Sequence, residues 1–116
     1  MPKAPRIESA LFGSFIIDGR KYESDVVVSW NGEVKDRPKS HEFTNAELNS
    51  ILMSDPEVVI IGTGHSGVLK VAHGAEVTAR LGGVEMVVKS TPQAVQEYHK
   101  FARLGKRVVA VLHSTC

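Results

Sequence analysis

A chain of 116 residues with 42% apolar and 23% charged residues reads as a single globular domain spanning 1–116, with residues 1–6 expected as a loose leader. Fourteen basic and thirteen acidic residues are interspersed and leave a formal net charge of +1, so no basic stripe argues for nucleic acid. No apolar run approaches the roughly 20 residues of a membrane span, the first residues lack the apolar region of a signal peptide, and the lone Cys116 cannot form an internal disulfide; the expectation is a cytoplasmic protein.

The first element is a hairpin. Ser14–Ile17 and Arg20–Tyr22 flank Asp18-Gly19, a pair that tolerates the positive φ of a type I′ turn. Val26–Trp30 reads as a third strand, and Asn31-Gly32 as a second hairpin signal leading to Glu33–Lys35. The polar residues 36–43, with Pro38, read as a loop. Thr44 and Glu47 have the spacing of a capping box, and Ala46, Leu48, Ile51 and Leu52 follow at helical spacing until Pro56. Val58–Ile61 is a continuous apolar run of the kind found in strands covered on both faces. Residues 62–67 form a glycine-rich loop, 74–81 a short helix ended by Gly82-Gly83, and 84–89 a strand. Thr91 is expected to cap the clearest helix, with Pro92 at its first position and Ala94, Val95, Tyr98, Phe101 and Ala102 on one face. After Gly105, Val108–Leu112 reads as a buried last strand. The N-terminal third is thus hairpins, and the rest alternates helix and strand.

Chemistry-bearing residues concentrate in two places. Gly62-Thr63-Gly64-His65-Ser66-Gly67 spells the dinucleotide fingerprint after a strand. Its context fits poorly: Val68–Val71 is β-like where a long helix should begin, and no acidic residue ends the next strand. No NAD(P) and no other cofactor is expected. Backbone amides of the loop remain candidates for a small anion-binding nest. The chain also ends on His113-Ser114-Thr115-Cys116, directly after a core strand. His113 and Cys116 have the residue types of a base and a nucleophile, but an extended i, i+3 pair points to opposite faces, so a terminal anchor is the favoured reading. The five histidines lack metal-ligand spacing.

These residues, taken together, resemble a widespread small α/β family of unassigned biochemical function. It includes an adipogenesis-associated domain protein and, more distantly, a mitochondrial complex I assembly factor. The resemblance rests on Phe12-Gly13, the Ile61–Gly64 turn, Thr91 with Ala94, Val95, Glu97 and Tyr98, Gly105–Arg107, and the His113–Cys116 ending. It implies an α/β fold of three layers: a central mixed β-sheet with N-terminal β-hairpins and flanking helices. It supplies no enzyme activity. Relatives carry a histidine in the loop before the first helix, a place taken here by His41 after Ser40.

Two functions compete. The first is a non-enzymatic binding, scaffold or assembly module with a protein partner, favoured because no paired acid/base residues are visible. The second is a small enzyme or binder of an anionic small molecule at the C-terminal edge of the strands, built from Gly62, Thr63, Gly64, Thr91, His41 and His113. Neither nucleic acid nor a membrane is expected as a partner.

Overall fold

The computed structural model describes residues 3–116. Strands β1 (Ile7–Leu11), β2 (Ser14–Ile17) and β3 (Arg20–Tyr22) form an antiparallel sheet of their own. Asp18 and Gly19, with φ of 49° and 78°, make the tight turn between β2 and β3. Strands β4 (Asp25–Ser29) and β5 (Val34–Arg37) follow as a second hairpin. Next come β6 (Glu42–Phe43), helix α1 (Asn45–Leu52), β7 (Val58–Gly62), β8 (Lys70–Val71), helix α2 (His73–Leu81), β9 (Glu85–Lys89), helix α3 (Thr91–Arg103) and β10 (Val108–Leu112). The main sheet has the order β5-β4-β10-β7-β9. Its β7, β9 and β10 run parallel, and β4 is antiparallel to β10. This is the expected α/β architecture: a mixed central sheet, helices on its faces and β-hairpins at the N-terminal end.

The two crossovers explain the layering. A right-handed connection from β7 outward to β9 and another from β9 back to β10 must lie on opposite faces. Accordingly, α3 packs Ala94 and Tyr98 on one face against Val58, Ile60, Val108, Ala110 and Leu112, with Phe15 and Ile17 of the small sheet beside them. On the other face, Ala75 and Ala79 of α2 and Leu48 of α1 cover Val59, Ile61 and Val111. Strands β7 and β10 are therefore buried on both faces, which is why both read as unbroken apolar runs.

Four local expectations are corrected. Residues 36–43 are not wholly loop: β5 continues to Arg37, and Glu42-Phe43 pairs in parallel with Lys70-Val71, a bridge too short to leave a periodic signal. The capping box forms only by half. Thr44 Oγ1 accepts from Glu47 N at 3.2 Å, but the Glu47 carboxylate is taken by Arg37. Thr91 lies inside α3 rather than capping it; Ser90 is the flanking residue, and Pro92 takes the second helical place. Of the supposed loose leader, residues 1–2 lie outside the described residues and the rest is held. Tyr98 Oη donates to Pro5 O at 2.7 Å, and Arg6 and Asp18 exchange bonds of 2.9 Å.

Tyr98 thus fills the core and fastens the N-terminal segment at once. Burial pushes its phenol well above the ordinary value, with a smaller push from Asp18, so it remains a hydrogen-bond donor. Tyr98→Ala is expected to lower stability by about 3–5 kcal/mol, and Tyr98→Phe by about 1 kcal/mol through the lost bond to Pro5. Urea unfolding of the two variants beside the wild type measures both; equal losses would mean that the hydroxyl contributes nothing separable from the ring.

Candidate functional site

At the first residue of β4, Asp25 is fully enclosed, 1% exposed. Strand register decides its neighbours. β4 lies between β5 and β10, with Asp25 opposite Arg37 on one side and Val26 opposite Leu112 on the other. One step past Leu112 brings His113 to Asp25. Its Oδ2 receives Arg37 Nη1 at 2.9 Å and His113 Nδ1 at 2.7 Å. Its Oδ1 receives the Ser114 amide and hydroxyl, each at 2.9 Å. Burial by itself would raise the Asp25 pKa, but the hydrogen bonds from His113 and Ser114 outweigh it and hold the carboxyl below its ordinary 3.8. An ionised carboxylate only accepts, so His113 Nδ1 carries the shared proton.

Arg37 extends the cluster outward. Its Nε and Nη2 grip Glu47 of α1 at 2.7 and 3.0 Å, the bidentate geometry that guanidinium favours. Its Nη1 and Nη2 also reach Ser40 O and Glu42 O at 3.2 and 2.9 Å. Burial would lower its pKa, but Glu47 first and Asp25 second outweigh that and raise it, so the charge persists. The far nitrogen of His113, Nε2, is buried without a hydrogen-bond partner among the described residues, and the exposed His41 ring stands edge-on to the His113 ring with centroids 5.2 Å apart.

The chain end is threaded into the adjoining loop. Thr91 Oγ1 donates to His113 O at 2.7 Å and accepts from Gly64 N at 2.9 Å. The His65 amide bonds Thr115 O at 2.8 Å, while those of Ser66 and Val68 bond Cys116 O at 3.2 and 2.9 Å. Gly64 must be glycine: its φ is +102°, and a Cβ there would fall 2.5 Å from the Cys116 carbonyl carbon and 2.8 Å from His113 Cδ2. Gly13 N, at the β1–β2 turn, donates to Ser114 O at 2.7 Å and ties that turn to the same edge. The turn exposes Leu11 and Phe12, 64% and 65% accessible, with the Phe12 ring 5.7 Å from His65; Val68, in the segment after His65, is partly exposed as well.

Comparison with known proteins places the fold. Residues 7–113 match the family model described as a protein of unknown function (DUF498/DUF598). The chain belongs to that family. A conserved hypothetical protein of Pyrococcus horikoshii, PH1505, is 28% identical, with a TM-score of 0.86 over 96% of this chain and 99% of that one. The protein MT938 is 30% identical, with a TM-score of 0.82 over 97% and 99%. A Bordetella pertussis protein described as an Mth938-like domain shares the fold at 17% identity, with a TM-score of 0.79 over 95% and 85%.

For this DUF498/DUF598 chain, the structure brings Gly62, Gly64, Thr91 and His113 into contact, with His41 against His113. Thr63 turns away, its amide and hydroxyl both on Lys89 O. The amides of 63–66 bond Lys89, Thr91, Thr115 and Cys116, so these donors face the protein's own atoms. Neither Cys116 nor any other described residue hydrogen-bonds His113 Nε2. Among the described residues no group of three or more His, Cys, Asp or Glu side chains is placed to hold a metal ion. Among the described residues no helix is long and apolar enough to cross a membrane. Sequence reasoning missed Asp25, Arg37, Glu47 and Ser114, the residues that hold the cluster together.

Asp25→Asn removes the charge facing Arg37 and puts a donor where two donors already converge. It is expected to cost about 3 kcal/mol. Because the Asp25 pKa is lowered by folding, its share of stability is present above pH 3.8 and is lost as pH falls from there toward the folded value. Denaturant melts across that acid range should therefore fall less steeply for Asp25→Asn than for wild type. Parallel curves would mean that folding leaves the Asp25 pKa at its ordinary value.

Proposed function

We propose that this domain is a non-enzymatic binding or assembly-type module whose working surface is the Leu11–Phe12 turn together with Val68 and the rim of His65. One observation carries the reading: two large apolar side chains stand 64% and 65% exposed on a turn that is itself pinned to the core through Gly13 and Ser114. A rigid apolar projection beside a loop whose backbone amides bond within the chain is suited to enter a hydrophobic groove on a protein partner. Resemblance to the adipogenesis-associated domain and to the complex I assembly factor supports the same reading by analogy alone. The free thiol of Cys116 supports a reducing, cytoplasmic setting.

Catalysis finds less support. The Asp25–His113 pair has the form that orients a general base, but Arg37 shares the same carboxylate oxygen, and among the described residues no hydroxyl or thiol bonds Nε2. A small-anion site at Gly62–Gly67 would have to displace the Thr115 and Cys116 carbonyls from their amides.

A photo-crosslinking residue placed at Phe12 should capture a defined partner in cells, while the same residue at exposed Lys21 should not. Binding of that partner, once purified, should fall about tenfold or more in Phe12→Ser, with folding unchanged because the ring is exposed. Equal capture from both positions, or phosphate shifting the 62–67 amide resonances instead, would overturn the binding-surface reading.

A further inference from the structure

We infer that β9 is a self-association edge, through which two copies of this chain pair antiparallel about Val87. β9 ends the main sheet, with β7 on one side and no described strand on the other. Glu85 N donates to Glu57 O, and Lys89 O accepts from Thr63 N. The alternation of a parallel ladder then turns the main-chain groups of Glu85, Val87 and Lys89 toward β7 and those of Met86 and Val88 toward the open edge. An exposed row of this kind is a template for another strand.

The side chains specify which strand fits. Val87 packs with the α3-side core and Met86 with the α2-side core, so Glu85 and Lys89 share the face of Val87, and Val88 shares that of Met86. Glu85 and Lys89 are exposed and enter no ion pair among the described residues. Place a second copy antiparallel with Val87 against the partner's Val87. Met86 and the partner's Val88 then form a hydrogen-bonded pair, repeated by symmetry with the copies exchanged. In the same register Glu85 lies opposite the partner's Lys89 and Lys89 opposite the partner's Glu85, so the charges of the paired strands match. The 43% exposed Val88 becomes covered. A groove of about 320 Å³ between α2 and this edge, lined by Ala79, Val84, Met86 and Val88 with Glu76 and Arg80 of α2 at its side, leaves room for the partner's side chains. A third-party strand would need this same charge order; a second copy supplies it without further assumption. The edge shares no residue with the Leu11–Phe12 surface.

A five-residue edge is short, and the contact falls at the small end of specific interfaces, under about 1,200 Å². Association should therefore rise with concentration and weaken with salt. Analytical ultracentrifugation of the full chain over a concentration series tests it. Wild type should dimerise. Glu85→Lys and Lys89→Glu, each facing like charges in its own homodimer, should dimerise at least about tenfold more weakly. Mixed in equal amounts, the two variants should recover wild-type association, because each then meets the opposite charge. Phe12→Ser should dimerise as wild type does, which separates this edge from the proposed binding surface. Circular dichroism melts should be unchanged for the charge variants, both residues being exposed. A wild-type chain that stays monomeric at its highest attainable concentration, single variants that associate as wild type does, or a mixture that fails to recover would each overturn the proposal.

Discussion

One enclosed carboxylate organises this domain. Asp25 receives donors from Arg37, His113 and Ser114, so three strand ends and, through Glu47, the first helix converge on two oxygen atoms. An ion buried in this way is tolerable only because each oxygen is occupied by donors and a guanidinium charge lies beside it. Its contribution is specificity more than net stability. A one-residue slip of β4 against β5 or β10 would turn Asp25 to the opposite face and leave Arg37 buried without it.

The same convergence closes the edge of the sheet where open α/β proteins commonly hold a ligand. Because His113 is drawn to Asp25, the following residues run against the Gly62–Gly67 loop and accept its amides. Gly64 is what allows the two segments to meet, and the Thr91 hydroxyl bridges them. The polar groups of this edge therefore bond mostly within the chain, while the apolar Leu11 and Phe12 stand outside it. That contrast is the observation on which the proposed contact surface rests.

Much of the scaffold was legible in the sequence. Val58–Ile61 and Val108–Leu112 are buried on both faces and so carry no alternation to hide their strand character. The α3 face reads clearly because its core contacts recur at helical spacing, and Asp18-Gly19 because its turn depends on local φ alone. The cluster was only half legible. His113 drew notice through its place after a core strand, and His41 and Gly64 through family resemblance and motif. Asp25, Arg37 and Glu47 did not, because their pairings span 12, 88 and 10 residues and depend on sheet register. Each also has an ordinary local reading: an acidic residue before a strand, a loop cation, a capping-box glutamate. The structure turns Glu47 and Thr91 from helix caps into long-range fasteners, since a buried arginine and a buried carbonyl compete for them more strongly than the helix ends do.

The most direct test of the central role of Asp25 is its own titration. The side-chain carboxyl carbon of Asp25 can be followed by nuclear magnetic resonance in ¹³C-labelled protein as pH is lowered from neutrality. An ionised hub requires that the midpoint of this resonance's movement lie below pH 3.8, the ordinary value, or that it move together with unfolding. Protonation of Asp25 at or above that value in a protein that keeps its native spectrum would contradict the hub.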